Sequence, residues 1–123
     1  MLQAGLFPDF KGTATLLIWG DSEGIAALRA AIVALSRRDT SHIQIGGEVD
    51  LSVSLFEESE THSELSRLGG GLEWTCARRI FVDAEALLAE MDEAETGHHY
   101  FDISGLAAQV IVSKGEYPAD MRP

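Results

Sequence analysis

The sequence predicts a single α+β domain: a two-layer sandwich with two helices on one face of a mostly antiparallel sheet. Three observations lead there. The 123 residues fit one domain. Two stretches, 25–35 and 84–91, carry apolar residues at spacings of three and four, the pattern of a helix buried on one side. Around them, short runs alternate apolar with polar residues, the pattern of half-buried strands. Each helix has one apolar stripe to bury and the strands have one apolar face, so helices packed on one side of a sheet satisfy both. The other side is left to solvent or to a partner.

Residues 1–12 read as a lead-in, with Leu2–Phe7 as a short edge strand. Thr13–Trp19 is rich in β-branched and large apolar residues and predicts a strand. Gly20 breaks it, and Asp21 or Ser22 can cap a helix over about 22–37. Ile25, Leu28, Ile32 and Leu35 form its buried stripe, five alanines favour helix, and Arg37 and Arg38 suit its C-terminal end. His42–Ile45 and Val49–Phe56 predict two strands joined at Gly46-Gly47. Residues 57–71, EESETHSELSRLGGG, read as a long surface connection with a helical turn at Ser63–Leu68.

Leu72–Ala77 alternates and predicts a strand. Asp83 is the expected cap of the second helix, which buries Ala84, Leu87, Leu88 and Met91 and ends at Gly97. Gly97–Tyr117 then predicts a hairpin turning at Ser104-Gly105, and 118–123 is a tail. Laid side by side, 13–56 and 72–117 each read strand, helix, strand, strand, a tandem repeat of pattern.

Twenty acids against nine bases give a formal net charge of −11. Phosphate binding needs clustered Lys and Arg, so nucleic acid is disfavoured and a basic protein partner is favoured. Acidity also serves solubility alone. Cys76 is the one cysteine, so no intrachain disulfide can form, and a reducing compartment is expected. No apolar run approaches the roughly 20 residues that span a bilayer. The N-terminal MLQAGLFPDFK lacks the basic start and apolar core of a signal peptide. The expectation is a cytoplasmic protein without a membrane partner.

Alternation also nominates a site. If the aliphatic residues face the helices, the open face carries His42, Gln44, Ser52, Ser54 and Phe56. It carries as well His98, Tyr100, Asp102, Gln109, Ile111 and Ser113. His42, Gln44, Phe56, His98, Tyr100, Asp102 and Gln109 are the candidate binding residues, since aromatics among polar groups suit an interface. A solvated face with scattered aromatics has the same pattern. Burying Val110, Val112, Phe101 and Ile103 requires His98, Tyr100 and Asp102 outside. The register slipped by one residue would bury a carboxylate.

No metal or cofactor is expected. His98 and His99 point to opposite faces, and His98 and Asp102 lie about 13 Å apart at strand rise, too far to share an ion with bonds near 2 Å. Cys76 lies in an alternating strand and reads as a small hydrophobe. Gly69-Gly70-Gly71 lacks the lysine and hydroxyl of a phosphate loop. No catalytic residue is assigned.

Gly97-His98-His99-Tyr100-Phe101-Asp102 and then Val112-Ser113-Lys114-Gly115-Glu116-Tyr117-Pro118 resemble the C-terminal part of small uncharacterised bacterial proteins. Some of those are similar to the immunity proteins of polymorphic toxin systems. The resemblance, confined to this hairpin, implies a small cytoplasmic protein that binds and blocks a toxin. Two alternatives come from the residues themselves: a small hydrolase-like enzyme using His98, Tyr100 and Asp102, and a subunit that homodimerises through its open face or an edge strand.

Overall fold

The first residues form a full strand rather than a lead-in. In the computed structural model, which covers residues 1–123, β1 (Leu2–Phe10) pairs antiparallel with β2 (Thr13–Gly20). Lys11 and Gly12 turn the chain at φ 53° and 90°, the positive values that a two-residue hairpin turn requires. Helix α1 (Ser22–Ser36) follows. Asp21 is its cap, and its carboxylate accepts the Gly24 N–H at 2.9 Å. That bond, and after it the N-terminal amine, hold the Asp21 carboxyl below its ordinary value. Next come β3 (His42–Ile45) and β4 (Leu51–Phe56), an antiparallel pair.

The expected surface connection contains another strand. β5 (Ser63–Leu68) pairs antiparallel with β6 (Gly71–Ala77) from Ser63↔Cys76 to Leu68↔Gly71. Its buried contribution is the single residue Leu65. One apolar anchor among polar residues gives almost no local signal, and pairing with β6 decides the conformation.

Helix α2 spans Arg78–Ala89, so Asp83 lies inside it and is no cap. The cap position is Ala77, which offers no side-chain hydrogen bond. Starting at Arg78 sets Phe81, Ala84 and Leu88 on one face, and all three are buried. The residues after Glu90 form turns, and Gly97 opens β7 (Gly97–Asp102). Ser104-Gly105 is not the hairpin turn but a two-residue strand, β8, parallel to β5. β9 (Gln109–Lys114) returns antiparallel to β7.

The architecture is α+β with two helices and nine strands. The strands divide between two mixed sheets where one mostly antiparallel sheet was expected. The four-stranded sheet runs β1-β2-β9-β7, and the five-stranded sheet runs β3-β4-β6-β5-β8. Each centres on a parallel pair, β2 with β9 and β4 with β6. The reason lies in connectivity. Each helix has a hairpin before it and another after it, and the two hairpins of one helix end up in different sheets.

One cluster of 23 buried residues joins both helices to one face of each sheet. Leu16, Ile18, Val110 and Val112 represent the four-stranded sheet in it. Val53, Leu65, Leu72 and Trp74 represent the five-stranded one. Lys114, only 3% exposed, sends its ammonium to the Met91 and Asp92 carbonyls at 2.7 and 3.2 Å. It holds the turns after α2 by charge-assisted bonds. No helix is long and apolar enough to cross a membrane.

The candidate interaction surface

The strand registers of the four-stranded sheet show what surrounds each nominated residue. On the face turned from the core, Tyr100 aligns with Ile111 and Leu17. His98 aligns with Ser113 and Trp19, and Asp102 with Gln109 and Thr15. The β7 end of these rows is open: His98, Tyr100 and Asp102 are exposed, and Tyr100 is 59% accessible. Gln109 is half-buried and donates to the Thr15 hydroxyl at 2.9 Å.

The middle of the same face is covered, contrary to the parity expectation. Ile111 and Ser113 are 4% and 0% exposed. Ile111, Leu17, Trp19 and Phe7 form a second small core, against which Phe10, Tyr117 and Met121 pack. The C-terminal residues fold back over the sheet, and Trp19 Nε1 donates to the Pro118 carbonyl at 2.9 Å. Strict alternation reports which face a residue is on. It does not report whether a distant segment covers that face.

At the open end, His98 and Tyr100 meet edge to face with ring centres 5.3 Å apart. His98 Nδ1 lies 3.1 Å from the Glu116 carboxylate, which also accepts the Ser113 hydroxyl at 2.5 Å. Glu116 and Ser113 thereby set the His98 ring, and His98 supports one side of Tyr100. β7 keeps an unbroken register with β9 from Gly97 to Asp102. His98 and Asp102 therefore remain four strand residues apart, a spacing that no single small ion bridges.

The other nominated residues lie elsewhere. His42, Gln44 and Phe56 belong to the five-stranded sheet. There Phe56 stacks on His62 at 3.8 Å, and His62 Nε2 lies 2.7 Å from the Thr75 hydroxyl. Ser54 donates to Glu73 at 3.0 Å. Thus the seven candidates fall into two groups on two sheets: His98, Tyr100, Asp102 and Gln109 in one, His42, Gln44 and Phe56 in the other. The polar partners on the second sheet, His62 just before β5 and Glu73 and Thr75 on β6, are not among the sequence candidates: the stretch holding His62 reads as a connection, and the polar face of Leu72–Ala77 gains its partners only from pairing with β4 and β5. The weak alternation of Glu64, Leu65 and Ser66 was the available signal.

A groove of about 380 Å³ runs beside β7. Tyr100, Phe101 and Asp102 line it from β7, Ile80, Asp83 and Leu87 from α2, and Glu60, Thr61 and Ser63 from the start of β5 and the residues before it. No β9 residue lines it. Arg79 reaches the groove from the first turn of α2.

Cys76 is fully buried, and desolvation pushes its thiol up from 9.0 to about 12, against a smaller lowering by Ser63. A thiol is a poor nucleophile in that state. The native protein is expected to resist a thiol reagent at about pH 8 and to react once denatured; prompt native labelling would contradict burial. The sign of the alkaline effect follows. The folded thiol keeps a proton that the unfolded one loses, so the contribution of Cys76 to stability is full below pH 9.0 and is lost between 9.0 and about 12.

Compared with family models, with curated proteins and with solved structures, the chain matches none of them.

Proposed function

We propose that this protein is a cytoplasmic binding module that recognises a basic protein through the β7 end of the four-stranded sheet. Its most specific form is an immunity-like inhibitor of a toxin. The observation that carries this is Tyr100, the most accessible of the exposed large apolar side chains. It is supported by His98 and flanked by the carboxylates of Asp102 and Glu116. Exposed aromatics anchor interfaces, and carboxylates around them, in a chain of net charge −11, steer a cationic partner. The reading takes the helices as one layer and the sheets as the other. It also takes the two halves as copies of one unit, each giving a hairpin to either sheet.

Tyr100→Ala is expected to leave stability within about 1 kcal/mol, since the ring is mostly in solvent. Denaturant unfolding beside wild type checks this, and a loss of about 3 kcal/mol would make Tyr100 a core residue. Binding should fall by about 2 kcal/mol, close to thirtyfold. The test of function is capture of host proteins on immobilised wild type, Tyr100→Ala and Asp102→Lys. The expected result is a basic protein kept by wild type and lost by both variants, whose toxicity co-production of this chain suppresses. The same protein held equally by all three would place recognition elsewhere.

A further inference from the structure

Basic residues stand side by side at two places in the chain, Arg37-Arg38 and Arg78-Arg79. Neither pair is a cluster by itself, and the fold brings the two together. Arg37 caps the end of α1 and Arg38 follows it, while Arg78 and Arg79 open α2. Arg78 Nε donates to the Ser36 carbonyl at 2.5 Å, which ties the two helix ends to each other. Arg38, Arg78 and Arg79 thereby line one pocket of about 410 Å³. In a chain of net charge −11, three of the nine bases thus meet in a single place.

None of the three stands where local energetics alone would favour it. Arg38 has φ 60°, the left-handed conformation that glycine or asparagine normally supplies after a helix. Arg78 and Arg79 lie in the first turn of α2, at its positive end, with no capping side chain and no acid there. Their donors are largely unspent. Arg38 engages Glu57 and Arg78 engages Ser36, each through Nε, which leaves both Nη groups of each free. Arg79 is exposed and carries no ion pair within the chain. Glu60 also lines the pocket, but Glu57 is taken up by Arg38, so one carboxylate faces two uncompensated guanidiniums. Phe56, stacked on His62, and Val82, 40% exposed, give the pocket its apolar surface.

We infer that this pocket binds a small phosphate monoester that carries a planar apolar group. The phosphate is held by Arg78 and Arg79 with Arg38 beside them, and the apolar group lies against Phe56 and Val82. A carboxylate fills one guanidinium fork, whereas a phosphate dianion has oxygens for more than one. That favours phosphate where three forks converge. The volume is that of a small-molecule site. A polyanion such as nucleic acid would meet the surrounding negative charge of the chain, so the ligand is a small molecule. His98, Tyr100 and Asp102 take no part, and the site is independent of the proposed protein partner.

The test is calorimetric titration with phenyl phosphate, inorganic phosphate and benzoate at low salt. Phenyl phosphate should bind saturably with a Kd of about 1 mM or below, and at least about threefold more tightly than either of the others. Arg79→Gln, which breaks no bond within the chain, should weaken it at least about tenfold. Arg67→Gln removes the same charge from β5, outside the pocket, and should bind within about twofold of wild type. Tyr100→Ala alters the neighbouring groove that Arg79 also lines, and it too should bind as wild type does. Phe56→Ala should keep inorganic phosphate and lose the preference for the phenyl ester. No binding of phenyl phosphate by wild type at about 10 mM overturns the inference. So does equal weakening by Arg67→Gln and Arg79→Gln, which is general charge attraction, or weakening by Tyr100→Ala, which puts the ligand in the groove. Benzoate or inorganic phosphate binding as tightly as phenyl phosphate overturns it as well.

Discussion

Trp74→Ala is expected to be among the most damaging single changes in this protein, removing about 3–5 kcal/mol, the usual cost of deleting a large buried aromatic. Trp74 is 2% exposed, with Phe81 of α2 and Phe101 of β7 at ring distances of 6.2 and 6.5 Å. It therefore joins the five-stranded sheet to a helix and to the other sheet. Its indole N–H donates to Ser63 Oγ at 2.8 Å, and Ser63 in turn donates to the Asp102 carbonyl. Removing the ring takes away packing and the first link of that relay, so the end of β7 should loosen. Trp74→Phe should recover most of the packing and none of the hydrogen bond. Equilibrium unfolding measures the stability, and amide exchange along 101–105 reads the loosening. A loss below about 1 kcal/mol for the alanine variant would contradict the core described above.

Trp19→Ala is expected to cost a similar amount for a different reason. Trp19 is 1% exposed and belongs to the small outer cluster. It opens an aromatic series of edge-to-face contacts: to Phe7 at 6.1 Å, then Phe7 to Phe10 at 5.7 Å, then Phe10 to Tyr117 at 5.9 Å. Its N–H also holds the Pro118 carbonyl. The variant should lose about 3–5 kcal/mol and should free residues 117–121. Proteolysis at the C-terminus, faster in the variant than in wild type under native conditions, would report the release. Equal digestion rates would mean the tail is held by other contacts.

Much of this was legible because local pattern and tertiary role agreed. Helix α1 has its cap, its alanines and its stripe in one stretch, and its bounds are close to those read from sequence. Exposure of His98, Tyr100 and Asp102 followed from parity alone. α2 was misplaced because Asp83 resembles a cap, while the true start at Ala77 has no capping side chain. There the burial of Phe81 decides the boundary. β5 and β8 were invisible because a strand with one buried residue, or with two residues in all, is defined by its neighbour. The division of the seven candidates between two sheets was equally hidden. Alternation assigns a face to a strand, and only the pairing of distant strands says which sheet that face belongs to.

The interleaving of hairpins also constrains the order in which the chain can become ordered during synthesis. β2 has β1 beside it almost at once, but its other neighbour is β9, whose last residue is Lys114. Thr15 and Gln109, hydrogen-bonded side by side, are 94 positions apart. A nascent chain therefore carries a half-formed sheet until Gln109–Lys114 has been made. The loop closed by that pairing holds about three quarters of the 123 residues, and such non-local closure is the slow part of assembly in chains of this size.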